Sequence, residues 1–462
     1  MFEIDLKKFK KYDKPGPRYT SYPTAPQFND MFTGKDYVDE IIKTNSSEEH
    51  PNLSLYFHLP YCDTLCYFCG CNMLISRNRD RINEYINYVK KEINLLKKYL
   101  SPERKVTQHH WGGGTPTHLN PDEIAKLTSY INKSFDFKES AVGGSENSCE
   151  IDPRELTKAH LEALRNNGFN RISMGVQDFN EKVQKAVNRI QPEDITRQTV
   201  QWVRELEFQS INLDLIYGLP FQTVEAFADT VEKIIDISPD RIAVFNYAHV
   251  PWMKKHQELI KNEDLPAPEV KLEILKNTIE MLTDAGYEFI GMDHFAKPDD
   301  ELSVALKEKK LYRNFQGYST NAGADLYAFG ITSISQLKNI YAQNYKTEKE
   351  YYKALDDEVV PTAKGYKLSE DDHIRREVIM RIMCDFELNY KSIEDKFNIN
   401  FAEYFAQGLE NLKAFENDGL VTVSDDGFKI KDMGRLLIRN IAINFDGYIE
   451  RKEDKAKYSR TV

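Results

Sequence analysis

Apolar runs alternate with amphipathic stretches from about residue 50 to about residue 335. The apolar runs predict strands at 53–59, 105–111, 146–151, 170–176, 210–217, 241–247 and 287–292. The amphipathic stretches predict helices near 80–99, 121–134, 155–167, 192–207, 223–237 and 269–285. Because parallel strands need crossover connections, usually helices, this alternation predicts an α/β fold with a parallel sheet.

The pattern changes beyond about residue 365, where further helices are predicted at 370–387, 391–397, 400–418 and 432–446. Two short predicted strands, 420–424 and 427–430, flank Asp425 and Asp426 and indicate a hairpin. Helices followed by such a wing resemble a winged helix. The acidity of the chain favours a domain that packs over the sheet domain rather than one that binds DNA.

The first 30 residues are rich in turn formers and aromatics, including Gly16-Pro17-Arg18-Tyr19-Thr20-Ser21-Tyr22-Pro23. Such a segment is typical of an extended surface arm, and its Arg and Tyr content makes it a candidate lid. The predicted domains are therefore an arm at 1–45 over the active site, an α/β domain at 46–365 and a helical domain at 366–462.

The chain has 62 Lys and Arg against 73 Asp and Glu, for a formal charge of −11, which argues against non-specific nucleic-acid binding. No stretch approaches the roughly 18 apolar residues of a membrane span, and residues 1–6 lack the pattern of a signal peptide. We therefore expect a cytoplasmic protein with no membrane partner. Nothing in the sequence demands an oligomer, so we expect a monomer.

Four of the six cysteines fall within ten residues, which indicates metal or redox chemistry in a reducing compartment. Cys62, Cys66 and Cys69 form a C-x-x-x-C-x-x-C pattern after the first strand. Three thiolates at this spacing could hold an iron–sulfur cluster with one open iron, or a structural zinc with Cys71 or His58 as fourth ligand, or could be buried free thiols. The other two, Cys149 and Cys384, are expected in the core.

Polar and glycine-rich segments follow several strands at their carboxyl ends, where α/β barrels place their sites. Gly112-Gly113-Gly114-Thr115-Pro116 follows the second strand, Glu150-Ile151-Asp152-Pro153 the third and Gln177 the fourth. This repeated placement is stronger evidence for a site than any single motif. The glycines leave room for a ligand against the backbone, although glycines also mark ordinary turns.

The cysteine segment, with the aromatic Phe68 before its last cysteine, resembles radical S-adenosylmethionine (SAM) enzymes. The whole chain resembles one family among them, the oxygen-independent coproporphyrinogen III oxidases. The resemblance rests on the segments at 16–25, 66–72, 111–117, 173–178, 214–220, 291–296 and 434–440. Related heme chaperones usually lack a cysteine at the position of Cys71 and lack the arm, so they are the nearest alternative.

The resemblance implies a partial, TIM-like (β/α) radical SAM barrel with the arm and a winged-helix-like C-terminal domain. It implies conversion of two propionates of coproporphyrinogen III to vinyl groups, giving protoporphyrinogen IX. Hydrogen abstraction from an unactivated carbon is beyond any acid–base side chain, so the cofactor must supply it. The implied cofactors are one 4Fe–4S cluster held by Cys62, Cys66 and Cys69, and two SAM molecules, one of which yields a 5′-deoxyadenosyl radical.

By the same resemblance, the first SAM is contacted by Tyr56, Gly113, Glu150 and Ile334. The second SAM is contacted by Phe68, Gly114, Thr115, Gln177, Arg189, Asp214 and Ala248. Each of these has an ordinary structural role as its alternative, such as ring packing for Tyr56 or core packing for Ile334. Cys71 resembles a fourth family cysteine that lies beside the cluster without binding it, and its role stays open.

Four propionates call for basic residues at the mouth of the barrel, and Arg18 and Arg77 are the candidates. His58 and His294 are expected to be structural or to orient site residues. The expected partners are coproporphyrinogen III, a reducing donor such as flavodoxin or ferredoxin, and an electron acceptor that the sequence does not identify. Besides the chaperone, the alternatives are another porphyrin-modifying radical SAM enzyme and a structural zinc protein.

Overall fold

The computed structural model describes residues 4–12, 14–46, 50–138 and 144–449. Its twenty strands are β1 Leu53–Leu59, β2 Tyr61–Cys62, β3 Leu74–Ile75, β4 Lys105–Gly113, β5 Asp136–Phe137, β6 Glu146–Ile151, β7 Arg171–Gln177, β8 Ser210–Tyr217, β9 Arg241–Asn246, β10 Glu288–Gly291, β11 His294–Ala296, β12 Tyr312–Asn314, β13 Gly317–Ser319, β14 Asp325–Phe329, β15 Ile334–Gln336, β16 Ile340–Asn344, β17 Thr362–Lys367, β18 Glu387–Asn389, β19 Val421–Ser424 and β20 Gly427–Ile430.

The α-helices of the same residues are α1 Leu6–Tyr12, α2 Gly34–Asn45, α3 Arg79–Lys97, α4 Pro121–Ser134, α5 Lys158–Asn166, α6 Glu181–Ala186, α7 Glu193–Glu205, α8 Val224–Ile237, α9 Pro268–Asp284, α10 Glu301–Lys307, α11 Glu348–Asp356, α12 Glu370–Asp385, α13 Tyr390–Phe397, α14 Phe401–Tyr404, α15 Ala406–Asn417, α16 Asp432–Leu436 and α17 Ile438–Ala442. Their starts follow local capping chemistry. At α4, for example, Asn120 and Glu123 form a reciprocal capping box and Pro121 takes the first helical turn.

Seven parallel strands form the centre of the main sheet, in the order β9-β8-β7-β6-β4-β1-β14. Antiparallel strands extend both sides, with β11 and β10 beyond β9 and with β15, β16 and β17 beyond β14. Within the described residues β10 and β17 do not pair, so the barrel stays open, and the α/β fold with a partial barrel is confirmed.

The sheet contains strands that the sequence analysis did not predict, and two of them set its order. The seventh predicted strand, 287–292, does not join the sixth directly, because the short strand β11 lies between β10 and β9. The strand beside β1 is β14, which we did not predict. Its five residues, Asp325–Phe329, are all buried, and a run this short carries no period that separates a strand from other buried structure.

The alternation of side chains along the strands builds the inner wall of the barrel. On β7, Ile172, Met174 and Val176 are buried in the core. The intervening Ser173 and Gly175 face the opposite side, which lines a cavity. The same period of two buries Leu213 and Leu215 on β8 and turns Asp214 to the cavity. The polar positions of these strands thus converge at one place.

The predicted C-terminal helices and wing are present, and β18, β20 and β19 form a three-stranded antiparallel sheet. Two predicted helices are interrupted: 400–418 is divided at Phe405, and 432–446 is divided at Leu437 and ends in a 3-10 turn, Ile443–Phe445. At both divisions the backbone leaves helical dihedrals, with φ near −110° or −103° and ψ above 20°.

The N-terminal segment is not an extended arm throughout, because α1 and α2 lie in it. Tyr19 and Tyr22 are buried, the Tyr19 hydroxyl donates to Asp446, and the Tyr22 hydroxyl accepts from the Gly447 N–H. The segment therefore packs against the C-terminal residues. Residues 1–3 and 450–462, the ends of the predicted domains at 1–45 and 366–462, lie outside the described residues. No helix that the structure describes is long and apolar enough to cross a bilayer.

Candidate active site

The cysteine loop is tied to the sheet at both of its ends. β1 leads into β2, which pairs in parallel with β3 on the far side of the loop. The Leu74 N–H donates to the Pro60 carbonyl at 2.7 Å, and the Ser76 N–H donates to the Cys62 carbonyl at 3.2 Å. This closure brings Cys62, Cys66, Cys69 and Cys71 to the lining of one cavity of about 220 Å³.

Donor groups point at two of the cysteine sulfurs. The Thr115 hydroxyl lies 3.4 Å from Cys62 Sγ, and Arg154 Nη2 lies 3.5 Å from Cys66 Sγ. Arg189 Nη1 approaches the same Cys66 sulfur at 3.7 Å. Donors of this kind stabilise thiolates that bind metal. The three cysteines therefore fit an iron–sulfur cluster.

The zinc alternative is disfavoured by the positions of the side chains. In the described part of the chain, no three His, Cys, Asp or Glu side chains converge closely enough for a single ion. His58, its possible fourth ligand, uses both ring nitrogens, Nε2 with the Asn72 carbonyl at 2.9 Å and Nδ1 with the Tyr56 hydroxyl at 3.1 Å. His58 instead ties the cysteine loop to β1, as expected of an orienting residue.

The thiols differ in acidity. A hydrogen bond with Cys71, opposed by burial, lowers the pKa of Cys69 to about 6. Burial raises the pKa of Cys62 to about 12, which the hydrogen bond from Thr115 only partly offsets. The thiol of Cys69 is thus more readily deprotonated than that of Cys62.

Glycine is required at the end of β4 because other parts of the chain pack directly against its backbone. Gly113 has φ of +114°, and a Cβ there would lie 2.6 Å from the His58 ring. A Cβ on Gly114 would lie 2.4 Å from the Pro60 carbonyl oxygen. The segment also makes direct contacts with the cysteine loop, since the Thr115 N–H donates to the Tyr61 carbonyl at 2.8 Å.

Glu150, at the end of β6, is held by donors on β4. The Gly113 N–H donates to its Oε2 at 3.2 Å, and His110 Nε2 lies 3.4 Å from its Oε1. Burial would raise the pKa of Glu150, but these contacts hold it below its usual range, so the carboxylate stays ionised. The ring of Tyr56 stacks on His110 with centroids 5.9 Å apart, which places Tyr56 beside this pair.

The far wall of the cavity is formed by Gln177, Arg189 and Asp214. Gln177 has φ of +69° and its side-chain oxygen is buried without a hydrogen-bond partner in the structure. Arg189 donates to Gly175, Asp152 and Gln191. Burial raises the pKa of Asp214 to about 7, although Asn212 donates a hydrogen bond to it at 2.7 Å.

The structure does not bring all predicted site residues to this cavity. Those that line it are Cys62, Cys66, Phe68, Cys69, Gly114, Thr115, Glu150, Gln177, Arg189 and Asp214. Ala248 and Arg18 line a second cavity, Ile334 packs in a separate apolar cluster on β15, and Arg77 is exposed and paired with Asp63.

Sequence reasoning missed two groups of residues. Asp152 accepts from Arg154 at 2.6 Å and from Arg189 at 3.0 Å, and thereby aligns both arginines with Cys66. Its position directly after a strand end was the available signal. The second group, Lys254, His256 and Gln257, hydrogen-bonds the carbonyls of Cys71, Cys69 and Phe68. No local pattern marks these residues, because only folding brings them to the cysteine loop.

Comparisons with known proteins agree with this geometry. A family model described as the radical SAM superfamily matches residues 56–234, and one described as the HemN C-terminal domain matches residues 368–437. The chain is 47% identical to an oxygen-independent coproporphyrinogen III oxidase of Synechocystis sp., over all of this chain and 98% of that protein. It is 46% identical to the Escherichia coli protein of that name, over 99% and 98% of the two chains.

A solved structure, coproporphyrinogen III oxidase from Escherichia coli, described as a radical SAM enzyme, superimposes with a TM-score of 0.91. It shares 44% identity over 97% of this chain and 99% of that one. Similarity of this extent covers the cysteine loop, the barrel and the C-terminal domain together. The chain therefore belongs to the oxygen-independent coproporphyrinogen III oxidase family of the radical SAM superfamily.

Proposed function

We propose that this chain catalyses the oxygen-independent oxidative decarboxylation of two propionates of coproporphyrinogen III to vinyl groups, giving protoporphyrinogen IX. The observation that carries the proposal is a cavity lined by three closely spaced cysteines in a chain that matches relatives of that activity over its full length. The heme-chaperone alternative receives no comparable support.

The family implies a 4Fe–4S cluster and SAM, and Cys62, Cys66 and Cys69 would hold the cluster with one iron left for SAM. When bound, the cluster and SAM supply the radical chemistry that removes a hydrogen atom from the propionate β-carbon. The chain's own task is to orient SAM and substrate and to keep water away from the reacting carbon. Arg154 and Arg189 stabilise the thiolate of Cys66 from the protein side.

Residues around Glu150 would bind the first SAM. The ionised Glu150 carboxylate suits ribose hydroxyls or a cationic amino group. The backbone at Gly113 and the ring of Tyr56 adjoin it, and Ile334 would pack against the adenine. The contacts of Glu150 with His110 and with the Gly113 N–H preorganise the carboxylate before the ligand arrives.

A second SAM would occupy the far wall, with Phe68, Gly114, Thr115, Gln177, Arg189 and Asp214 as its contacts. The resemblance adds Ala248, which lines the neighbouring cavity and would contact this SAM only where the two cavities adjoin. Gln177 supports this proposal, since its buried side-chain oxygen has no hydrogen-bond partner among the described residues and would accept from an amino group. Asp214 offers a second acceptor beside it. Arg189 would exchange one of its protein contacts for the carboxylate of SAM.

The remaining partners are also proposals. A low-potential donor such as flavodoxin or ferredoxin would reduce the cluster, and a separate acceptor would take the electron left after decarboxylation. We expect the chain to act as a monomer. The predicted domains at 1–45, 46–365 and 366–462 would let the N-terminal segment and the C-terminal domain cover the barrel mouth.

The test is anaerobic turnover of the cluster-loaded chain with coproporphyrinogen III, SAM and a reductant, followed by mass spectrometry. Two successive losses of carbon dioxide and two hydrogens, with 5′-deoxyadenosine formed, are expected. Deoxyadenosine without vinyl product would point to another porphyrin-modifying reaction. An intact cluster that cleaves no SAM but retains heme would favour the chaperone.

A further inference from the structure

A second cavity of about 730 Å³ lies beside the cysteine cavity, at the carboxyl ends of the same parallel strands. Asp214 on β8 lines the first cavity, and Tyr217, three residues further along β8, lines the second. The N-terminal segment, α9 and the C-terminal helices α16 and α17 complete the walls of the second cavity. Its volume is in the range of cavities that enclose a sizeable organic ligand, roughly 300–1,000 Å³.

Part of the lining is apolar and suits a large hydrophobic ring. Leu272 and Leu275 on α9, Met292 between β10 and β11, and Leu436 and Ile438 at the C-terminal helices contribute aliphatic surface. Trp252 lines the same cavity and is 73% exposed. Its indole ring thus adds an aromatic face to the mouth of the cavity, on which a flat ring system can stack.

The rest of the lining is basic. Arg18, Lys271 and Arg439 all face the cavity. Burial, and then the nearby charges of Arg439 and Arg313, lower the pKa of Arg18 to about 9. Arg18, Arg313 and Arg439 thus bring three guanidinium groups together, and such like charges inside a protein repel one another and need anions nearby.

The anion that the chain itself provides to Arg18 is Asp293, whose Oδ2 accepts from Arg18 Nη2. Asp293 also lines the cavity, in the turn between β10 and β11. Arg18 is 34% exposed and lies 5.8 Å over the Phe245 ring, so its guanidinium is accessible from the cavity and held in place. A ligand carboxylate entering the cavity therefore meets an arginine whose present partner is another carboxylate.

We propose that this second cavity binds the porphyrinogen, and that Arg18 binds one of its propionate carboxylates in the place that Asp293 occupies in the structure. This rests on the proposed function. The apolar wall takes the macrocycle, and Arg439 and Lys271 add positive charge for further propionates. Asp293 balances the positive charge of the arginine cluster until the substrate arrives. When a propionate replaces Asp293 on Arg18, the N-terminal segment becomes attached to the bound substrate.

The test uses the cluster-loaded chain and coproporphyrin III, the air-stable oxidised form of the tetrapropionate, in a fluorescence titration. Arg18→Gln is expected to raise the dissociation constant at least tenfold, because a charge-assisted contact is lost. Arg18→Lys keeps the positive charge but lacks the two parallel donors of a guanidinium group, so its dissociation constant should lie between those of the wild type and Arg18→Gln. Asp293→Asn removes the competing carboxylate and is expected to lower the dissociation constant. Arg197→Gln, a surface arginine paired with Glu193, is the control and should leave it unchanged.

Unchanged binding in Arg18→Gln would overturn the proposal. Asp293→Asn binding as weakly as Arg18→Gln would overturn the exchange, since Asp293 would then support Arg18 in the bound state too. Iron content and the circular dichroism spectrum should match the wild type in every variant, which separates loss of binding from misfolding. If the wild-type chain binds coproporphyrin III but forms no vinyl product from coproporphyrinogen III under anaerobic reducing conditions, the proposed reaction fails while the cavity assignment stands.

Discussion

Asp152→Asn is the substitution whose effect can be worked out most fully from the structure. Asp152 accepts from Arg154 Nη2 at 2.6 Å, from Arg154 Nε at 2.9 Å and from Arg189 Nη1 at 3.0 Å. The side chains of Asp152, Arg154 and Arg189 are 13%, 16% and 9% exposed. An asparagine keeps the size of the side chain but leaves two buried guanidinium groups without their countercharge.

Removing one partner of a buried ion pair typically costs about 3–5 kcal/mol of folding free energy. We expect the lower end, about 3 kcal/mol, because the cavity lets water reach the two arginines. Asp356→Asn is the matched control. Asp356 accepts from Lys91 and from the Tyr88 hydroxyl, but this pair lies in solvent, so its loss should leave the unfolding free energy close to that of the wild type.

The measurement is urea denaturation of the cluster-free chain under anaerobic reducing conditions, with the midpoint shift converted at a common slope. The two arginines and the hydrogen bonds hold the pKa of Asp152 well below its usual range, against the effect of burial. Its contribution is therefore present above its unfolded pKa of about 4 and is lost as pH falls below that value. The gap between wild type and Asp152→Asn should accordingly be constant from pH 8 to about 5 and narrow only as pH falls below about 4. A midpoint equal to that of Asp356→Asn at pH 7 would refute the reasoning.

Three further outcomes are expected. Burial raises the pKa of Glu92 to about 7, so the contribution of Glu92 to stability should fall as pH rises from about 4.5 to 7. Over that range the wild type should lose about 3 kcal/mol of unfolding free energy relative to Glu92→Gln, which urea midpoints at each pH check. Gly113→Ala should lose stability and bound iron, because its Cβ would overlap the His58 ring. Gly168→Ala has φ of +96° but open space around the added Cβ, so it should cost only about 1–2 kcal/mol of unfolding free energy and keep its iron. Iron analysis of the two variants therefore separates steric overlap from backbone strain. Tyr19→Phe removes a buried hydrogen bond between the N-terminal segment and the C-terminal residues, so limited proteolysis should cleave the segment several-fold faster. An unchanged cleavage rate would show that this bond does not hold the segment in place.

Much of the fold could be predicted because its signals are local. The parallel strands from β1 to β9 carry apolar runs, the helices between them are amphipathic, and caps such as Asn120 lie beside the helices they start. The seven-residue strand β1 and the wing at β19 and β20 were found in this way. What failed were short or rearranged elements: β11, which interrupts the pairing of β9 with β10, and the all-buried β14.

The candidate site likewise contains some residues that the sequence predicts and others that only the fold brings together. The cysteine pattern, the glycine triplet and Glu150 could be predicted because each is a short motif after a strand end, and alternation along β7 and β8 then turned Gln177 and Asp214 to one cavity. The contacts of Lys254, His256 and Gln257 with the cysteine loop join residues more than 180 positions apart, so no spacing pattern in the sequence predicts them.

The sequence by itself determined the α/β class, the strand ends that carry chemistry and the three cysteines. Periodicity and motif spacing are properties of neighbouring residues, and they survive without knowledge of the fold. Only the tertiary structure decided which charges share a cavity. Arg18 and Asp293 are 275 residues apart, and Asp152 and Arg189 are 37 apart, yet both pairs meet. The first pair joins the N-terminal segment to the turn after β10 and the second joins the end of β6 to the loop after α6, so folding, and not separation along the chain, sets these contacts.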